Sequence, residues 1–259
     1  MNKKLDVQTN NTTKNVIDII SIMPEYFNSF ANTGLIKRAI KNRVMEINII
    51  NPRDFTADKH KRVDDKIYGG GAGQLLMAYP ISEAYKFAKT KYELKYKEAG
   101  KNNLITVIMS ASGKLLNSEV AREISNYNHI IVICGRYEGI DARVTELTSG
   151  LEISIGDFIL SGGEIASLVL IEAVSRYFQN FLGNFESLNE ESFSDNYKSE
   201  LEYPQYTKPR VIDNLSVPEV LLSGNHKLIN DWRLESALKK TIENRPDLIN
   251  RKVDNDEPK

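Results

Sequence analysis

Three glycine-bearing segments place charged groups and bare backbone where a ligand could be held. The run Tyr68-Gly69-Gly70-Gly71-Ala72-Gly73 offers backbone N–H groups of the kind that cradle phosphate. Gln74 and Leu75 follow it, however, where a P-loop requires Gly-Lys-Ser or Gly-Lys-Thr, so a nucleotide triphosphatase is disfavoured. Taken alone, this run reads more simply as a mobile structural loop. The segment Gly135-Arg136-Tyr137-Glu138-Gly139-Ile140-Asp141 combines two glycines, which permit tight turning and close ligand approach, with three charges. It reads equally as a binding turn or a salt-bridged one. The segment from Ile155 to Glu164, Ile-Gly-Asp-Phe-Ile-Leu-Ser-Gly-Gly-Glu, has little side-chain bulk. It suits a flat ligand held by backbone groups, such as an adenine ring, or else a close-packed crossover. The single cysteine, Cys134, has no histidine near it in sequence and reads as buried and inert. His60, His129 and His226 lack metal-ligand spacing, so a zinc site is not expected.

These loops need elements to position them. Val16 to Met23, Met45 to Ile50, Leu104 to Met109, Ile130 to Cys134 and Leu151 to Ile155 read as strands. Gly34 to Asn42, Tyr79 to Ala99, Ser118 to Tyr127 and Gly163 to Phe178 read as helices; the last is so densely apolar that it should be mostly buried. Strand and helix therefore alternate as far as Phe178, which predicts an α/β fold with a mainly parallel sheet and helices on both faces. Ligands of such sheets sit beyond the carboxyl ends of the strands. The loops Ser110 to Lys114, Gly135 to Asp141 and Gly156 to Glu164 all lie there. Residues 52 to 73 read as one long loop, of the kind that is usually functional or mobile. Residues 185 to 203 carry six acids against Lys198 and read as a mobile linker. Residues 204 to 259 read as a small helical domain. Its clearest helix is Asn230 to Asn244, with Trp232, Leu234, Leu238 and Ile242 as its apolar stripe. Residues 1 to 15 read as a disordered extension.

The chain has 259 residues, 41% of them apolar, and a net charge of −1. That is enough for a substantial core, but it is not the basic excess usual in proteins that grip RNA, so any RNA contact must come from local patches. One cysteine fits a reducing cytosol. No run approaches the roughly 20 apolar residues of a membrane span, and no signal peptide is evident. A cytoplasmic location without membrane association is expected.

Several stretches together resemble the bacterial tRNA (guanine-N(1)-)-methyltransferases, members of the knotted SPOUT superfamily. They are Asn51-Pro52-Arg53-Asp54-Phe55-Thr56, Val63-Asp64-Asp65, Tyr68 to Gly71, Cys134 to Asp141, Ser154 to Glu164, Val174-Ser175-Arg176, Leu221 to His226, and Trp232-Arg233-Leu234. They run in the family's order from Val16 to about Leu248, and their combination is far more specific than any one of them. The resemblance implies a trefoil knot in the main domain (residues 16 to 184), a fold that general rules against knotting would never suggest. It also implies S-adenosylmethionine bound in the knot and a homodimer with its active site between subunits. The implied substrate is the guanine at tRNA position 37, following a guanine at position 36.

Carried onto this sequence, the cofactor-binding residues are Ser110, Ala111 and Gly113; Gly135, Arg136, Tyr137 and Glu138; and Ile155, Gly156, Phe158, Leu160, Gly162 and Gly163. Glu138 is also the implied participant in magnesium use. The guanine ring nitrogen is a poor nucleophile until a base removes its proton, and the negative charge that follows needs a donor. The resemblance makes Arg176 that donor. The base is an acid just before Pro204-Gln205-Tyr206-Thr207, here Glu202 where the family has aspartate. The linker also looks about three residues longer than usual, so Asp195 is an alternative, although linker acids often do nothing specific. Ala72 and Ala111 stand where proline is expected. Lys59, His60, Lys61, Arg62, Lys208, Arg210, Lys227 and Arg233 are candidate tRNA phosphate contacts or ordinary solvated charges. The altered base keeps a second reading open, a knotted protein that binds cofactor or RNA without turnover; methylation of another RNA by the same fold is a third.

Overall fold

In the computed structural model, which describes residues 15–96, 103–184, 191–194 and 200–249, the aliphatic runs become one parallel sheet. Its strands are β1 (Asn15–Ile20), β2 (Met45–Ile50), β5 (Leu104–Leu115), β6 (His129–Cys134) and β7 (Leu151–Ser154), in the order β2-β1-β6-β5-β7. Every neighbouring pair is parallel. Parallel strands covered on both faces read as continuous apolar runs, and β6, His-Ile-Ile-Val-Ile-Cys, is buried at every position.

Alternate residues serve two cores. Ile17, Ile19, Val107, Met109, Ile130, Val132, Cys134 and Ile153 face one side. Three helices cover them: α2 (Gly34–Lys41), α4 (Ser118–Ile124) and α6 (Gly163–Ser175), together with Phe27 from the helical turns at residues 24–31. Ile20, Ile50, Ile108, Ile131 and Ile133 face the other, under α3 (Ala78–Lys95) and α5 (Arg143–Thr148). Two short strands, β3 (Asp64–Asp65) and β4 (Leu75–Leu76), pair antiparallel. They bring Val63 and Leu76 into this second core, so the stretch expected to be a loop is partly ordered.

Asn15 belongs to the fold rather than to an extension: it opens β1, and its Nδ2 donates to the Val44 carbonyl at 3.0 Å. Expectations for residues 1–14 lie outside the described residues. On β1 the buried Asp18 accepts from Asn48 Nδ2 at 2.8 Å and pairs with His129 Nε2 at 2.9 Å. Tyr92 of α3 stacks on the His129 ring at 4.0 Å.

The chain divides into two units, Met1–Gly183 and Asn184–Lys259. In the second, β8 (Val211–Ile212) and β9 (Leu215–Ser216) form a hairpin. Its turn residues Asp213 and Asn214 both have positive φ, the pattern that matches strand twist. Helix α7 (His226–Asn244) starts four residues before the expected bound, capped by Asn225 accepting from the Leu228 N–H. Its buried face is Ala237 and Thr241, whereas Leu234, Leu238 and Ile242 are exposed, so most of the expected stripe is solvent-facing. The end of the acidic segment is fixed along this helix: Leu201 N–H donates to Thr241 Oγ1 at 3.0 Å, and Lys240 Nζ donates to the Glu202 carbonyl at 3.1 Å. Among the described residues, no helix is long and apolar enough to cross a membrane.

Candidate active site

The three glycine-bearing loops converge at the carboxyl ends of β5, β6 and β7, as the topology of an open parallel sheet leads one to expect. They enclose a cavity of about 480 Å³, within the roughly 300–1,000 Å³ usual for small-molecule sites. Every cofactor-binding residue expected from the sequence lines it except Gly113.

Each wall has a distinct origin. Strand β5 continues past Met109, but its register against β7 breaks there. Met109 and Lys114 both pair with Ile153, and the intervening residues bulge outward. Ser110, Ala111 and Ser112 of this bulge face the cavity. Gly113 instead presses on β7, where a Cβ would lie 2.4 Å from the Glu152 carbonyl carbon and the Ile153 nitrogen. Its lack of a side chain permits this close backbone approach. The second wall is the turn after β6, in which the Gly139 N–H donates to the Arg136 carbonyl at 3.0 Å. Tyr137 at its corner has φ +60°, a left-handed conformation that costs a non-glycine residue on the order of 1 kcal/mol. The third wall runs from Ile155 to Gly163. Gly163 opens α6 and donates to the Gly135 carbonyl at 2.8 Å, and a Cβ there would lie 3.0 Å from Cys134 Cα. At Gly156 a Cβ would meet the Phe158 ring at 2.5 Å.

The glycine-rich loop is tied to this site. Glu138 N–H donates to the Gln74 carbonyl at 3.0 Å, and its carboxylate lies where a Gly73 Cβ would be. The simpler reading, a mobile structural loop, did not include this bridge, which no spacing signals.

Among the described residues Arg136 is the only lysine or arginine lining the cavity, and its charge is matched. Its Nε donates at 2.9 Å to Glu164, which is fully buried and also accepts from Ser21 Oγ at 2.8 Å. Arg136 also donates to the Ser161 carbonyl at 3.3 Å and lies over the Tyr26 ring. Burial opposes the Arg136 charge, but Tyr26 and Glu164 outweigh it and raise its pKa. The sequence signalled Arg136 but gave no sign of Ser21 or Glu164 as its supports. Glu152 was also missed, although it lines the cavity. Its carboxylate accepts from Ser112 Oγ at 3.0 Å and Thr145 Oγ1 at 3.2 Å. The Ser110 hydroxyl foremost, with these two, outweighs burial and holds it below the usual carboxylate range. Burial pushes the Cys134 thiol up to about 12, consistent with an inert residue.

Of the expected catalytic residues, Arg176 shares a unit with this cavity and does not line it. Arg176 caps the far end of α6, 13 residues from Gly163, or roughly 20 Å at the helical rise. Glu202 belongs to the second unit. Its N–H donates to Ser192 Oγ at 3.0 Å and its carboxylate accepts from Gln205 at 3.1 Å. This ties Glu202 to the turn at residues 191–194, in which Glu191 is a further acid of the segment. Asp195 lies outside the described residues. Of the candidate RNA contacts, Arg62 is paired with Asp58 at 2.7 Å and Lys61 with Asp54 at 3.7 Å, and Arg233 lies over the Tyr203 ring. Among the described residues no group of three or more His, Cys, Asp or Glu side chains gathers as a metal site.

Residues 16–251 match the family described as tRNA (Guanine-1)-methyltransferase TrmD. A protein of Sulfurihydrogenibium sp. (strain YO3AOP1) named tRNA (guanine-N(1)-)-methyltransferase is 48% identical over 233 residues, covering 90% of this chain and 87% of its own. The protein of that name from Clostridioides difficile (strain 630) is 44% identical over 230 residues, covering 89% and 95%. The one from Photorhabdus laumondii is 44% identical over 233 residues, covering 90% and 89%.

Proposed function

The chain belongs to the tRNA (guanine-1)-methyltransferase family, and from that premise we propose that it methylates the N1 ring nitrogen of guanine 37 in tRNA. The methyl donor is S-adenosylmethionine, the tRNA carries a second guanine at position 36, and the enzyme works in the cytoplasm. The observation that carries the cofactor assignment is the convergence of the β5 bulge, the Gly135–Glu138 turn and the Ile155–Gly163 crossover on one cavity. Gly135, Gly156, Gly162 and Gly163 leave bare backbone at four points of its walls, which suits an adenine ring held by backbone groups. Bound S-adenosylmethionine supplies an electrophilic methyl group. If Mg2+ takes part, Glu138 is the residue that would hold it, with water and substrate completing its shell.

The chain's own residues do the rest. A carboxylate of the acidic segment, Glu202 in the first instance, takes the N1 proton, so the nitrogen lone pair is free to accept the methyl group. Arg176 donates to the guanine oxygen as negative charge develops there. Because Arg176 stands about 20 Å along α6 from the cavity end, the reading requires a second copy to bring it to the cofactor. The exposed Ile165 and Val169 on α6 and the exposed Ile159 and Leu160 before it give that copy an apolar surface to cover. The crossover between β7 and α6 is the segment we assign to the trefoil knot of the SPOUT fold.

The test is methyl transfer from labelled S-adenosylmethionine to a tRNA transcript with guanines at 36 and 37, comparing wild type with Glu202→Gln, Glu191→Gln and Asp195→Asn. The reading expects an active wild type and loss confined to one carboxylate variant. Cofactor binding without any transfer by wild type would overturn catalysis and leave a binding protein.

A further inference from the structure

One charged group of the cavity is not explained by the assignments above. Glu152 stands on β7 with its carboxylate at the cavity wall. Hydroxyls from two different elements converge on it: Ser112 of the β5 bulge at 3.0 Å and Thr145 of α5 at 3.2 Å, with Ser110 beside Ser112 at 2.8 Å between their hydroxyls. Among the described residues its partners are the neutral hydroxyls of Ser110, Ser112 and Thr145, and it has no cationic partner. The other charges nearby are disposed differently. Arg136 is matched by Glu164, and Asp141 is matched by Arg143 at 2.6 Å. Glu138 is exposed over the glycine-rich loop. Glu152 is therefore an ordered, uncompensated anion facing the ligand space. Hydroxyl dipoles fixed in advance around a carboxylate keep it ionised without neutralising it.

We propose that Glu152 is a specificity-determining residue, whose carboxylate makes the cavity favour the sulfonium form of the cofactor over its neutral thioether product. This rests on the cofactor assignment proposed above. S-adenosylmethionine and S-adenosylhomocysteine differ by a methyl group and the positive charge it brings. A fixed anion in the same cavity therefore acts on their difference, whereas the amino-acid charges common to both cancel in the ratio of affinities. The consequence for turnover is direct: after transfer the ligand loses its attraction to Glu152, and product leaves more readily than substrate.

The experiment is isothermal titration of S-adenosylmethionine and S-adenosylhomocysteine into wild-type protein, Glu152→Gln and Glu152→Asp. Glutamine keeps the shape and an acceptor for a hydroxyl while removing the charge. A fixed unit charge acting on a second one across a partly wet cavity changes binding by about three- to tenfold, so the preference for the sulfonium form should fall by that factor in Glu152→Gln. Glu152→Asp should retain most of it. A merely structural role for Glu152 would weaken both ligands equally, leave the ratio at the wild-type value and overturn the proposal. An equal fall in Glu152→Asp would also overturn it, because the charge is still present. If wild-type protein bound neither ligand, the cofactor assignment itself would fall, an outcome distinct from an unchanged ratio.

Discussion

Replacing Glu164 by alanine should destabilise the first unit far more than an average substitution and should cripple the cavity at the same time. The Glu164 side chain is 1% exposed and that of Arg136 is 14% exposed, with Nε and Oε2 at 2.9 Å. Removing the acid leaves a guanidinium in a mostly dry place with no counter-charge, and strips Ser21 Oγ of its acceptor. Loss of one partner of a buried pair costs about 3–5 kcal/mol, a large share of the roughly 5–15 kcal/mol that holds a typical domain together. With a urea slope of about 3 kcal/mol/M, the unfolding midpoint should drop by about 1–1.7 M. The double variant Arg136→Met, Glu164→Leu separates stability from function. It removes both charges and fills similar volume, so most of the stability should return, because burying an ion pair is costly in the first place. Cofactor affinity, by contrast, should stay low, because the wall loses the guanidinium that fixes the Arg136–Gly139 turn to Ser161. Urea unfolding and calorimetric titration on the same samples read the two effects. A Glu164→Ala midpoint within about 0.2 M of wild type would refute the reasoning, since it would mean that the pair is solvated.

Gly163→Ala should cost about 1–3 kcal/mol and weaken cofactor binding, since its Cβ would sit 3.0 Å from Cys134 Cα and the Gly135 nitrogen and push α6 away from β6; thermal unfolding with calorimetry checks both. Asp18→Ala should cost about 2–4 kcal/mol, because it strands His129 Nε2 and the Asn48 amide in the core, and urea unfolding should show it with no change in cofactor affinity. The lowered pKa of Glu152 has a defined sign. Its contribution to stability is present above its unfolded value near 4.5 and is lost as pH falls through the lower folded value. The stability gap between wild type and Glu152→Gln should therefore be flat from pH 7 to pH 5 and close only in more acid solution; a gap that closed by pH 6 would contradict the geometry.

The sheet was legible because its strands carry their own signal. Runs such as Ile130 to Cys134 are buried on both faces and can hardly be anything but central strands. The loops that line the cavity were legible for a related reason, since glycine at the carboxyl end of a parallel strand reports close approach. Short or contextual features were not. Helix α5 has six residues, too few to display a helical period. β3 and β4 have two each and form only because Val63 and Leu76 complete the core under α3. The bulge at Ser110 to Gly113 depends on a register break that no single strand encodes. Ser21, Glu152 and Glu164 escaped notice because their importance lies in partners distant along the chain; Glu164 and Ser21 are 143 residues apart. The apolar stripe expected on α7 failed for a different reason: helical spacing shows that Leu234, Leu238 and Ile242 share a face, but not that anything covers it. A periodic pattern predicts a partner, and among the described residues Leu234, Leu238 and Ile242 are exposed.

The most direct test of the whole account is the identity of the methylated nucleoside. Purified protein, S-adenosylmethionine and a tRNA transcript bearing guanines at 36 and 37 should yield 1-methylguanosine at position 37 when the digested product is resolved by mass spectrometry. A transcript with adenine at 37 should yield none. Methylation of a different atom or position, or an unmethylated tRNA beside protein that binds the cofactor, would contradict the account.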